Sequence, residues 1–297
     1  MLAAAAPATQ PATPGRRASR MLPGLVLLLV VLPACSTGFI YNRVGWAVAW
    51  YVEGLVSLDG AQQQLLRDSV QRTLAWHRET QLERYEDLLE RLAAAAAGPV
   101  TADDLRGYYE EAEHLLADFL GQVAPDVAQF LGSLDAAQRA ELARNLEEDN
   151  ADLRQERAGQ SAEVRRKRRD KSAIRTVQRF VGRLAPVQRQ LVVDRMATMQ
   201  DLSSAWLERR LGWQRRLLAL LESADRGSAF GQALRELLLD PGQADGGAYQ
   251  SAAEANRRVV FEMLAALSTT LSPAQRAQLQ RKLHGYARDL RRLADPA

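Results

Sequence analysis

Beyond residue 38 the apolar residues recur at i, i+3, i+4 and i+7 rather than in alternation, which predicts helix almost throughout. Residues 39–56 form an unusually apolar first helix, with Ile40, Val44, Val48, Val52 and Leu55 on one face and Trp46 and Trp50 on another. A helix apolar on most sides is normally buried centrally. Interfacial anchoring by its aromatics is the competing account, and the all-round apolarity favours burial. A second helix is expected from Asp59 to Ala97, stopped by Gly98-Pro99, and Thr101 with Asp104 reads as a capping box opening a third, to about Gly121. A short helix around 125–132 and a long one from Asp135 to about Val181, bent at Gly159, come next. Pro186 opens another long helix to about Glu222, a shorter one covers 226–239, and Asp240 to Gly247 is the clearest loop. Helices 248–270 and 273–293 finish the chain. The expected fold class is all-α, an elongated multi-helix bundle with long helices, in which 248–297 is a candidate C-terminal helical-hairpin subdomain.

One element recurs at four of these helix starts. Leu58 with Gln62, Leu134 with Gln138, Leu184 with Gln188 and Leu271 with Gln275 share the spacing Leu-x-x-x-Gln. Asp59, Asp135 and Ser272 can cap orphan N–H groups, Pro186 and Pro273 suit the first helical position, and the glutamine can reach back to the cap. Ala185 has no capping atom. Intervals of 76, 50 and 87 residues between copies are too irregular for a solenoid.

Charge changes the picture at the N-terminus. The chain has 297 residues and 39 Lys+Arg against 36 Asp+Glu, a formal +3. Arg16, Arg17 and Arg20 lie in residues 1–34, which hold no acid, so the remainder is formally neutral. After them Leu22 to Leu32 form an apolar run too short to cross a bilayer, for which about 20 apolar residues are needed. Positive flank, short apolar run and small residues have the layout of a secretory signal. The run ends in Leu32-Pro33-Ala34-Cys35-Ser36, which resembles the lipobox of bacterial lipoproteins. The resemblance implies cleavage after residue 34 and a mature chain of 35–297. It implies diacylglycerol and a fatty acyl group (palmitate or similar) on Cys35, and, with Ser36 next, sorting to the periplasmic face of the outer membrane rather than the inner membrane. Cys35 is the sole cysteine, so disulfide frameworks and cysteine-based zinc sites are excluded. Apolar content of 47% and charged content of 25% are those of a globular chain. A periplasmic address also removes nucleic acid as a partner.

A wider resemblance covers the mature chain. Tyr41-Asn42, Trp46, Trp50-Tyr51, Trp76-His77-Arg78, Leu82, Arg84-Tyr85 and the arginine-rich stretch before Gly182-Arg183-Leu184-Ala185-Pro186-Val187-Gln188-Arg189 resemble a family of uncharacterised helical lipoproteins of Gram-negative bacteria. That resemblance implies location and fold, and carries no activity. Locally, Leu271-Ser272-Pro273-Ala274-Gln275 is similar to the Leu-Thr-x-x-Gln motif of small periplasmic stress chaperones. Helix capping explains the element without a shared function.

Candidate chemistry is thin. Arg165, Arg166, Lys167, Arg168 and Arg169 form the sharpest charge cluster, a candidate contact for anionic lipid or an acidic partner. Neighbouring acids and the splaying of adjacent helical residues favour a solvated face. Glu111 and His114 make one Glu-x-x-His, the half-site of a di-iron bundle, but no second copy occurs. His77, Gln81 and Arg84 are near neighbours on a helix beside Trp76, Arg78 and Tyr85, for which an aromatic core residue beside a salt-bridged face is the favoured account over a polar site. No phosphate loop, Gly-x-Ser-x-Gly or His-Glu-x-x-His is present. The expectation is a non-catalytic structural or interaction protein of the envelope, without cofactor, metal or evident small-molecule substrate, and with an envelope protein or anionic lipid as partner. A holdase-like chaperone is the alternative. The first predicts small grooves, the second a concave apolar surface.

Overall fold

The computed structural model describes residues 41, 43–223, 227–239 and 247–295, so Cys35 and residues 1–34 lie outside the described residues. Among the described residues there are eleven helices and no strand, an all-α bundle: α1 Val44–Glu53, α2 Gly60–Thr80, α3 Leu82–Ala95, α4 Ala102–Gly132, α5 Ala136–Ala158, α6 Ala162–Val181, α7 Pro186–Ala197, α8 Ser203–Glu222, α9 Ser228–Leu239, α10 Ala248–Thr270 and α11 Pro273–Ala294. The 31-residue α4 is the spine. Helices α2, α9 and α10 pack along it, α11 packs on α3 and α6, and α7 is held between α6 and α10. The last two helices thus share their packing with earlier ones. Helix α8 joins α5 to α9, and α1 lies on α2.

Capping sets where the helices begin. Asp59, Thr101, Asp135 and Ser272 each accept from the third residue of their helix, and Gln62, Asp104, Gln138 and Gln275 return the bond to the cap N–H. At Ala185 only the glutamine half exists, with the Ala185 N–H donating to Gln188 Oε1 at 2.9 Å. Helix α6 ends at Gly182, whose φ of +80° favours glycine and where a Cβ would fall 2.6 Å from Gln278.

The four glutamines then meet in two pairs. Gln62 and Gln138 exchange amide hydrogen bonds at 2.8 and 2.6 Å, and Gln188 and Gln275 do the same at 2.9 Å each way. The second amide hydrogen of each goes to the carbonyl just before its partner's leading leucine. Gln62 reaches Ser133, Gln138 reaches Ser57, Gln188 reaches Thr270 and Gln275 reaches Arg183, at 2.8 to 3.0 Å. Every donor and acceptor of each side-chain amide is therefore used, and the network leaves one orientation for each. Around the first pair Leu58, Leu66, Leu134 and Leu142 join the main core, and around the second Leu184, Leu191, Leu271 and Leu279 join another.

Helix breaks depart from the local reading in four places. The chain runs helical through Pro125, where the sequence suggested a gap. Proline has no N–H for the Gly121 carbonyl, and Arg235 Nη1 of α9 donates to that carbonyl instead at 3.1 Å. Conversely, the helix expected from Pro186 to Glu222 breaks at 198–202. There Asn256 of α10 grips the Gln200 backbone, accepting from its N–H at 2.8 Å and donating to its carbonyl at 2.9 Å. The helix expected over 59–97 kinks at buried Gln81, just after Thr80 Oγ1 donates back to the Trp76 carbonyl at 2.8 Å, a bond that bends helices. Gly159 ends α5 outright, and Ser161 caps α6.

Two stability predictions result. Gln188→Ala and Gln275→Ala each leave buried amide and carbonyl groups unpaired, a loss of about 1–3 kcal/mol. The double variant should lose clearly less than the sum, read from urea unfolding, and simple additivity would contradict the clasp. Arg235→Met should likewise destabilise the chain. In a Pro125→Ala background, where the backbone can bond Gly121 itself, the same change should cost distinctly less.

Candidate functional site

The first helix does not behave as a central core helix. No residue of α1 is fully buried, and Trp46 is 68% exposed, stacked on Trp50 with ring centroids 6.3 Å apart. Val48, Ala49 and Val52 rest on the main core, and beside them α1 leaves a gap. This gap is an open cleft of about 1200 Å³ walled by α1, α2, α4 and α8 and reaching α9 and α10. Small-molecule sites usually span about 300–1,000 Å³.

The lining is apolar over most of its length. Its floor is the buried Leu66, Phe130, Leu134, Leu142, Leu146 and Leu217, all members of the main core, and Leu66, Leu134 and Leu142 stand four residues from Gln62 or Gln138. Toward the opening it exposes Leu116 on α4 and Leu239 at the end of α9, each 38% accessible. Its charged lining residues are Glu110, Glu113, His114 and Asp126 of α4, Arg209 and Arg210 of α8 and Arg257 of α10. Arg209 lies 4.8 Å over the Tyr249 ring, and no carboxylate among the described residues pairs with it. Arg257 lies 4.4 Å over the Tyr109 ring and 3.7 Å from Glu113, which also accepts from the Tyr109 hydroxyl at 2.6 Å. Arg210 is tied down by Asn150, whose amide donates to Gln214.

Near the start of α1 the lining is polar yet uncharged. Tyr41 donates to the Leu74 carbonyl at 3.1 Å and lies 3.2 Å from His77 Nδ1. With the tyrosine proton used on Leu74, His77 must carry its own on Nδ1 and donate to the Tyr41 oxygen. His77 is packed among Tyr41, Tyr85 and Phe119, and burial lowers its pKa to about 4, while burial lifts Tyr41 to about 12. Arg78 stands over the Tyr41 ring at 5.3 Å, and Arg84 pairs with Asp118 at 2.7 Å. This segment is thus an aromatic core beside a salt-bridged face, with the histidine itself inside the core.

The other candidate residues are dispersed. Glu111 is ion-paired to Arg91, while His114 is exposed at the cleft. Among the described residues no group of three or more His, Asp or Glu is placed to hold a metal ion. The basic run divides: Arg165 bonds Asp201 at 2.9 Å and Arg169 donates to the Met196 carbonyl at 3.2 Å, both bracing the α7–α8 turn, and Lys167 pairs with Glu163 at 2.7 Å. Arg166, Lys167 and Arg168 are exposed. Leu58, Gln62, Leu134, Gln138, Leu184, Gln188, Leu271 and Gln275 build the two clasps, and of these Leu134 also lines the cleft. Arg209, Arg257 and the exposed leucines were missed in the sequence reading. Their one trace is the breadth of the apolar stripe on α4, where Leu115, Leu116, Phe119, Leu120 and Val123 cover more than a single helix contact requires.

His77 makes stability pH-dependent with a definite sign. Its folded pKa of about 4 lies below the ordinary histidine value of 6.5, so between those values the unfolded chain binds more protons. Stability should be fully present above pH 6.5 and fall as the pH drops toward about 4. His77→Phe should flatten that part of a denaturation-versus-pH curve, and an unchanged slope would contradict the assignment.

Comparison with curated proteins and with solved structures returned no match. A family model does match, over residues 54–250, about two-thirds of the chain and most of the cleft's walls. The chain belongs to a family of unknown function, DUF6279.

Proposed function

We propose that this protein is a lipoprotein of the bacterial outer membrane, facing the periplasm from an acylated Cys35, and that it works by holding an apolar chain in its cleft rather than by catalysis. The cleft carries the reading: an open apolar volume of about 1200 Å³ beside the main core, with exposed Leu116 and Leu239 at its edge. Contiguous apolar surface that opens to solvent often marks a binding groove. Its position agrees with the anchor. Tyr41, which lines the cleft, stands six residues after Cys35, a reach of at most about 20 Å from the bilayer.

This is nearer the holdase-like alternative than a purely structural role, because a scaffold needs no open apolar volume of that size. An adaptor function would draw instead on the exposed Arg166, Lys167 and Arg168.

Two measurements test the reading. Cys35→Ala should abolish acylation and leave an unprocessed or soluble form; unchanged membrane extraction would remove the anchor. The fluorescent apolar probe N-phenyl-1-naphthylamine should bind the full chain saturably. Leu116→Arg, at an exposed position, should weaken that binding about tenfold while the thermal midpoint moves by no more than a few degrees. Absence of saturable binding would dismiss the cleft as a working site.

A further inference from the structure

Resting on that reading, the distribution of charge in the cleft identifies its ligand more closely. Its lining sets Arg209 and Arg257 with Glu110 and Glu113 beside the core leucines. A wholly apolar ligand has no use for those charges. We infer that the cleft binds a glycerophospholipid with a zwitterionic headgroup, its acyl chains along the leucine floor and its phosphate against Arg209 and Arg257.

The chemistry of the rim supports each part. Guanidinium groups take phosphate oxygens in a forked, charge-assisted geometry. Arg209 is already oriented by its stacking on Tyr249, and among the described residues it has no competing carboxylate. Arg257 is held in place by Tyr109 and shares only a 3.7 Å contact with Glu113. The two glutamates disfavour a headgroup of higher negative charge and suit one that sets an amine beside its phosphate. The volume exceeds what a drug-sized molecule requires, in keeping with a two-chain lipid. A soluble phosphate ester would match the arginines but leave the leucine floor unused.

The test compares two lipids with identical chains on the full-length acylated protein in mild detergent. Phosphatidylethanolamine should bind at least about tenfold tighter than the corresponding diacylglycerol, the size of one good charge-assisted contact. The pair Arg209→Gln and Arg257→Gln should bring phosphatidylethanolamine down to the diacylglycerol level while diacylglycerol and the naphthylamine probe bind as before. Arg209→Lys should retain most of the preference. Because both arginines are only half-buried, thermal unfolding will show whether each variant is folded.

Equal affinity for the two lipids, or a preference untouched by the arginine substitutions, would overturn the inference while leaving the apolar cleft standing. Loss of probe binding as well would instead sink the functional reading beneath it. If Cys35→Ala binds phosphatidylethanolamine and the acylated protein does not, the chain's own lipid fills the cleft and the inference is wrong.

Discussion

Two reciprocal glutamine clasps hold the helix starts of this bundle in register. Each clasp does two tasks with the same atoms. The Oε1 that accepts from its own cap N–H also accepts from the partner glutamine, and the Nε2 that bonds the partner also donates to the carbonyl just before the partner's leading leucine. Buried amides strongly disfavour partial satisfaction, so the arrangement is close to all-or-none. Gln62 and Gln138 lie 76 residues apart and Gln188 and Gln275 lie 87 apart, and each clasp closes a long loop on a core of leucines. Leu66, Leu134 and Leu142 of the cleft floor stand about one helical turn from the first clasp, and the second joins the starts of α7 and α11.

Between these fixed ends runs α4, whose continuity past Pro125 makes a single wall for the cleft. That continuity is imposed from outside the helix by Arg235, which takes the carbonyl that proline leaves unbonded. The opposite wall, α1, is held more lightly. It rests on α2, offers no fully buried residue and turns Trp46 to the outside. A rigid wall facing a lightly packed one keeps an apolar volume open in a domain that would otherwise close it.

Local chemistry was legible wherever the cause lay within one helical turn. The caps at Asp59, Thr101, Asp135 and Ser272 could be read from the chain because donor and acceptor stand three residues apart. Breaks and continuities were not legible where the partner was distant. Asn256 bonds the backbone of Gln200 across 56 residues, and Arg235 bonds that of Gly121 across 114. The basic run at 165–169 shows both sides of this: its splay was implied by helical geometry, yet the bracing of Arg165 and Arg169 against the α7–α8 turn depended on where that turn fell.

For the cleft the division is sharper. Periodicity by itself determined that the chain is all-α, where its capped helices begin, and that Leu-x-x-x-Gln marks four of those starts. Whether an apolar stripe becomes core or lines an opening is decided by what stands opposite it, and helix periodicity contains no term for that. Leu115 and Leu116 are neighbours of one residue type, yet Leu115 is buried and Leu116 faces the cleft. Tertiary structure likewise turned four separate caps into two clasps, and brought Arg209 and Arg257 from different helices into the lining of one cleft. The physical reason is common to all of these: capping is a short-range bond within one segment, whereas burial and amide pairing belong to two segments at once.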